Sequence, residues 1–144
     1  MRQGRMISLE GGIYHCISRV VDGRFIFNEV EKEYLIQLLR EYEQFCGVRV
    51  LTYTVLSNHF HIMVRVPRRP KVLPTADELL ARLQRVSGHT GSANIARRIE
   101  RLRKRNDRQG LARYLATFFR RMWNLSYFMK MIKQRFTQWY NRRV

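Results

Sequence analysis

The chain is poor in acid, cysteine and proline, and each shortage narrows what it can be. Acidic residues number 11 in 144 against 28 lysines and arginines, giving a formal charge of +17. With 45% hydrophobic and 12% aromatic residues, a chain of this length can build one core, which argues against disorder throughout. Its two cysteines, Cys16 and Cys46, are too few for a disulfide framework, and neither belongs to a CxxC pair of the zinc or redox kind. Both read as small core residues. No apolar run approaches the ~20 residues that cross a bilayer. Met1-Arg2-Gln3-Gly4-Arg5 leads into a strand-like segment rather than a signal sequence, so the expected location is cytoplasmic, with no membrane partner.

The positive charge is unevenly spread. Up to Pro67, 8 lysines and arginines face 7 acids, net +1; from Arg68 onward 20 face 4, net +16. Lysines and arginines placed near phosphates release condensed counterions, so such a half-chain implies a polyanionic partner. Arginine interleaved with aromatics favours nucleic acid over lipid.

Hydrophobic periodicity gives the elements. Ile13 to Val20 is rich in β-formers and is followed by a turn signal at Asp22-Gly23. From Asn28, a plausible N-cap, Glu29 to Cys46 sets Tyr34, Leu35, Leu38, Leu39, Tyr42 and Phe45 on one stripe, and Gly47 ends the helix. Val48 to Leu56 and His59 to Val66 read as strands joined by Ser57-Asn58, which predicts an antiparallel hairpin or a kinked continuation. Strand, helix, strand, strand predicts an α+β fold: a ferredoxin-like antiparallel sheet covered by helices.

Beyond Pro67, Arg68 to Pro74 reads as a linker, and Thr75 with Glu78 as a capping box opening a helix to about Val86. Gly88 to Gly91 breaks the pattern. The arginine-dense stretch that follows carries Arg97, Arg98, Arg101, Arg103, Lys104 and Arg105, candidates for phosphate contact. An apolar stripe from Leu111 to Trp139 predicts a long basic C-terminal helix, displaying Arg120, Arg121, Lys130 and Lys133 as further DNA-binding candidates. The whole reads as one domain over residues 1–144, with 1–67 the sheet and histidine-pair core and 68–144 the basic helical part.

Ser57-Asn58-His59-Phe60-His61 carries the chemistry. In a strand, residues two apart share a face, so His59 and His61 point together while Phe60 points into the core. Two imidazoles are half of a metal site. His15 reads more as a buried structural histidine than as a partner of this pair, and Tyr14, Tyr34, Tyr42 and Tyr53 read as core.

The opening Gly-Gly-Ile-Tyr-His-Cys-Ile-Ser-Arg, the segment Phe45-Cys46-Gly47-Val48, and above all Tyr53-Thr54-Val55-Leu56-Ser57-Asn58-His59-Phe60-His61 resemble the IS200-type Y1 transposases of the HUH superfamily. The closest resemblance is to the branch associated with repetitive extragenic palindromes, the RAYT proteins. It extends into Leu125 to Lys130 and Arg135 to Arg143. The resemblance implies metal-dependent cleavage and strand transfer of single-stranded or hairpin DNA bearing palindromic repeats, commonly by a homodimer. It implies that His59 and His61 hold Mg²⁺ or Mn²⁺ and that a tyrosine forms a phosphotyrosyl intermediate. The family's tyrosine segment, resembling Tyr-Ile-x-x-Asn followed by Pro, has no counterpart here. The expectation is a chain truncated relative to the family, with Tyr140 and Tyr127 as candidate nucleophiles. A DNA-binding remnant without cleavage is the alternative, and an RNA-binding basic protein a weaker one.

Overall fold

The computed structural model describes residues 11–19 and 27–143. In chain order the elements are β1 (Gly11–Ser18), α1 (Glu29–Cys46), β2 (Arg49–Val55), β3 (Phe60–Pro67), α2 (Ala76–Lys104), α3 (Arg108–Phe119) and α4 (Leu125–Arg143). The expected turn at Asp22-Gly23 lies outside the described residues. Among those residues, no helix is long and apolar enough to cross a membrane.

The strands form one antiparallel sheet in the order β1-β3-β2, so the histidine-bearing β3 is central and bonded on both sides. One face is covered and the other open. Cys16, Ser18, Phe60, Ile62, Val64 and Val66 alternate inward and are buried, while Ile13, Ile17 and Met63 of the opposite face are 52%, 57% and 39% exposed. Apart from Ser18, the inward residues join Leu35, Leu38, Leu39, Tyr42 and Phe45 of α1 and the apolar stripe of α4 in a single cluster. Each fully buried leucine or phenylalanine in it contributes about 1.5–3 kcal/mol. This is the expected α+β arrangement, with helices on one side of the sheet.

α1 follows its stripe and carries Glu29 and Glu31 in the first turn, where carboxylates complement the helix dipole. Gly47 ends it at φ 69°, its N–H donating to the Glu43 carbonyl at 3.0 Å. A Cβ at Gly47 would meet the Trp123 indole Nε1 at 2.7 Å, so glycine serves both the left-handed cap and the packing.

β2 departs from strict alternation. Val50 pairs with Val64 and Thr52 with Met63, so Leu51 is an extra residue, a β-bulge. Beyond it the parity of β2 reverses, and Thr52 and Thr54 share the open face with Met63 and His61.

α2 is one helical run that doubles back at Gly88 (φ 70°, ψ −177°), a conformation essentially confined to glycine. The capping box at Thr75 is formed, with the Glu78 N–H donating to Thr75 Oγ1 at 3.2 Å and the Thr75 N–H to Glu78 Oε2 at 3.4 Å. The arms before and after Gly88 run antiparallel: Arg103 near the end reaches Asp77 near the start at 3.7 Å, and Gln84 meets His89 at 2.9 Å.

The stripe from Leu111 to Trp139 is divided between α3 and α4, rather than forming one continuous helix. Trp123 adopts φ 52° while its N–H donates to the Cys46 carbonyl at 2.6 Å, pinning the break to the end of α1. Asn124 Oδ1 then accepts from the Tyr127 N–H at 3.0 Å and opens α4. Near the other end of α4, Arg143 donates to the buried Glu31 carboxylate at 3.1 Å.

Candidate active site

Two chain features hold the histidine pair. Phe60, fully buried, plugs the core between them, and the Leu56 N–H donates to the His59 carbonyl at 2.8 Å, closing the turn through Ser57 and Asn58. A second bond, from the Phe27 N–H to the Ser57 carbonyl at 2.5 Å, ties that turn to the approach to α1. His61, inside β3, stands between Ile17 of β1 and Thr54 of β2.

Strand parity brings His59 and His61 together as expected, with ring centroids 5.1 Å apart. It also brings in His15. Rather than being buried, His15 is exposed on the open face, with its ring edge to edge with that of His61, the centroids 5.3 Å apart and His15 Nε2 3.2 Å from His61 Nδ1. His15 and His61 line a shallow groove of about 490 Å³ together with Thr52, Thr54, Leu56 and Met63.

The imidazoles are held in a way that suits ligation. His59 Nδ1 lies 2.7 Å from Asn58 Oδ1, an atom that can only accept, so Nδ1 carries the proton and Nε2 the lone pair. A cation about 2.1 Å from each nitrogen would lie about 3.2 Å from each ring centre, so two ligating rings can be at most about 6.4 Å apart. The observed 5.1 Å falls within that limit. None of the strand residues is acidic. The strands therefore offer a cation no anionic ligand beside the two imidazoles, and the remaining coordination positions would fall to water and substrate oxygens. Among the described residues, no group of three or more His, Cys, Asp or Glu side chains could hold a metal ion. The residues present fit two ligands of a divalent cation, His59 and His61.

The two tyrosines singled out from the sequence both sit on α4. Tyr127 packs on Phe45 at 6.4 Å under the Arg121 guanidinium. Burial pushes its phenol above the usual range, while Arg121 pulls in the opposite direction. Tyr140 is half-buried against the core, its ring stacked over Phe136 at 6.5 Å. Tyr53, read as a core residue, is 37% exposed beside Arg40 of α1.

The basic residues divide by role. On the second arm of α2, Arg97, Arg101 and Lys104 fall at i, i+4 and i+7 and line one cleft with Glu100, while Arg98, Arg101 and the C-cap residue Arg105 line another. All five basic residues are exposed. Arg98 also covers the Tyr114 ring at 4.7 Å, and Arg103 is engaged with Asp77. Arg120 and Lys130 are exposed, whereas Arg121 covers Phe118 and Tyr127, so part of its work is packing.

Sequence reasoning missed three contributors: His15, Asn58 and the Leu51 bulge. The first was hidden because its neighbours on the open face of β1, Ile13 and Ile17, are apolar. Asn58 carried only a turn signal, and the bulge left no mark.

No curated protein and no solved structure matches the chain. The family model of IS200-like transposases matches residues 8–87, more than half of the chain, from the start of the sheet to the end of the first arm of α2. With the histidine pair inside the matched segment, the chain belongs to the IS200-like transposase family.

Proposed function

We propose that this protein binds single-stranded or hairpin DNA, of the palindromic kind implied by its resemblance to the RAYT branch, and cleaves and rejoins it in a metal-dependent reaction. The observation that supports this most is the pairing of His59 and His61 on an open sheet face, with Asn58 holding His59 Nδ1 as a donor. His59 and His61 are the proposed ligands of Mn²⁺ or Mg²⁺. Such a cation, when bound, polarises the scissile phosphate and stabilises the charge developing on it. Of the two metals, imidazole donors favour Mn²⁺.

In the proposed chemistry a tyrosine Oη attacks the phosphorus and the P–O3′ bond breaks. The phosphoryl group passes to the tyrosine as a 5′-phosphotyrosyl link, and the departing 3′ oxygen takes up a proton. Tyr140 and Tyr127 are the candidates within these residues. Arg97, Arg98, Arg101, Arg103, Lys104 and Arg105, with Arg120, Arg121, Lys130 and Lys133, supply phosphate contacts that set affinity and register. A homodimer is the expected working form.

The packing of Tyr127 against Phe45 favours a second reading, in which the chain binds hairpin DNA without cutting it. Incubation with labelled hairpin DNA and Mn²⁺, followed by denaturing electrophoresis and mass mapping of any adduct, separates the two. Under the first reading a tyrosyl adduct forms, and His59→Ala abolishes it while leaving binding largely intact. Binding without adduct supports the second, and undiminished cleavage by His59→Ala refutes the metal role.

A further inference from the structure

One hydrogen is shared between His15 Nε2 and His61 Nδ1, which are 3.2 Å apart, and the ring that holds it decides what His61 can do. If His15 donates it, a neutral His61 carries its own proton on Nε2 and has no lone pair there to offer. If His61 donates it, Nε2 is left as an open donor atom. His15 would then accept at Nε2 and keep its own proton on Nδ1.

We propose that His15 is a positioning residue that accepts the Nδ1–H of His61, fixing both the tautomer and the ring plane in which His61 presents Nε2 to a divalent cation. This rests on the metal reading above and extends it. Two features of the contact and one parallel support it. β1 and β3 are in register, with His15 opposite Met63, so His61 lies on the diagonal that long side chains reach across adjacent strands. The two rings are within 16° of parallel and nearly coplanar, so the Nδ1–H of His61 lies close to the plane in which the His15 Nε2 lone pair points. His59 is served in the same way by Asn58, so each imidazole of the pair has its Nδ1 engaged and its Nε2 available.

His15 is exposed on the open face of β1 and takes no part in the core, so His15→Phe and His15→Gln are expected to fold. Phenylalanine cannot accept the bond; the glutamine amide oxygen can. Calorimetric titration with Mn²⁺ should give about 10–100-fold weaker binding for His15→Phe, with most of the loss recovered in His15→Gln. Long-range ¹H–¹⁵N spectra of the Mg²⁺-loaded wild type should show His61 protonated at Nδ1 and His15 unprotonated at Nε2.

Unchanged Mn²⁺ affinity in His15→Phe, with His59→Ala losing it, overturns this assignment and leaves the metal reading standing. A wild type that binds no Mn²⁺ overturns both. Equal losses in the Phe and Gln variants, or a His61 found unprotonated at Nδ1, also overturn it, because a role resting on this hydrogen bond requires the acceptor and the tautomer.

Discussion

Replacement of Arg101, Lys104 and Arg105 together by glutamine tests whether the second arm of α2 is the nucleic-acid surface. The three fall at i, i+3 and i+4 near the C-terminal end of the arm, all exposed, lining the two adjoining clefts. Each phosphate contact on a single strand adds about 0.7 to the slope of log K against log salt, and about 0.9 on duplex. Loss of three contacts should flatten that slope by about 2 on a single strand and about 3 on a duplex stem. At 0.15 M salt the same terms correspond to roughly 50-fold and 150-fold weaker binding. Glutamine keeps helix propensity, but removing cations from a last turn costs about 0.3–1 kcal/mol each. Thermal melts should therefore show a small drop without loss of fold. The assay is fluorescence anisotropy of a labelled hairpin oligonucleotide over a salt series, with Lys32→Gln on α1 as the control expected to leave the slope unchanged. A triple variant with the wild-type slope would refute the assignment of this arm to phosphate contact.

Further outcomes follow from the packing. Phe60→Ala should cost about 3–5 kcal/mol in urea unfolding, because Phe60 is fully buried between the two histidines; a loss below about 1 kcal/mol would mean the histidine turn does not depend on that plug. Gly88→Ala should cost about 1–3 kcal/mol through backbone strain alone, since nothing lies within 4 Å of the added Cβ; an unchanged urea midpoint would rule out the reversal. At alkaline pH the sign is set by groups that the folded state keeps protonated. Burial pushes the Cys46 thiol up from 9.0 to about 12 and raises Tyr42 and Tyr127 above 10.0. Their contribution is fully present below the unfolded values and is lost as pH rises towards the folded ones. Melting temperature should therefore fall from pH 9 upward, less steeply in Cys46→Ala, and a flat profile would contradict the burial of these groups.

What could be read from the sequence was whatever local periodicity and turn chemistry determine. α1 begins and ends at the residues its stripe, Asn28 and Gly47 indicated, and the capping box at Thr75 closes as written. The parity of His59, Phe60 and His61 was legible because one buried aromatic between two polar residues fixes which face is core. His15 was misplaced because its own face carries Ile13 and Ile17, so alternation of polarity along β1 does not distinguish inside from outside. The break between α3 and α4 was hidden for a related reason. The apolar stripe runs through it, and the chain turns there because the Trp123 N–H finds the Cys46 carbonyl, a partner far away in sequence. Likewise Gly88 signalled a break, but only the contact of Arg103 with Asp77 shows that the arms run back against each other.

The Leu51 bulge links these local features to the division of labour in the molecule. Without the extra residue, strict alternation from the buried Val50 would turn Thr52 and Thr54 inward; with it, both stand on the open face beside Met63 and His61. That face offers imidazoles and hydroxyls but no carboxylate, so a cation held there would keep its charge for the substrate phosphate. The positive charge that the proposed function assigns to DNA is concentrated elsewhere, in the half of the chain beyond Pro67. Chemistry and affinity then rest on different residues, and substitutions in each should act independently. The α2 triple should therefore cleave at the wild-type rate once hairpin DNA is saturating, and His59→Ala should keep the wild-type affinity. A triple that stays slow at saturating DNA would mean instead that the arm delivers the scissile phosphate to the histidines rather than only holding the DNA.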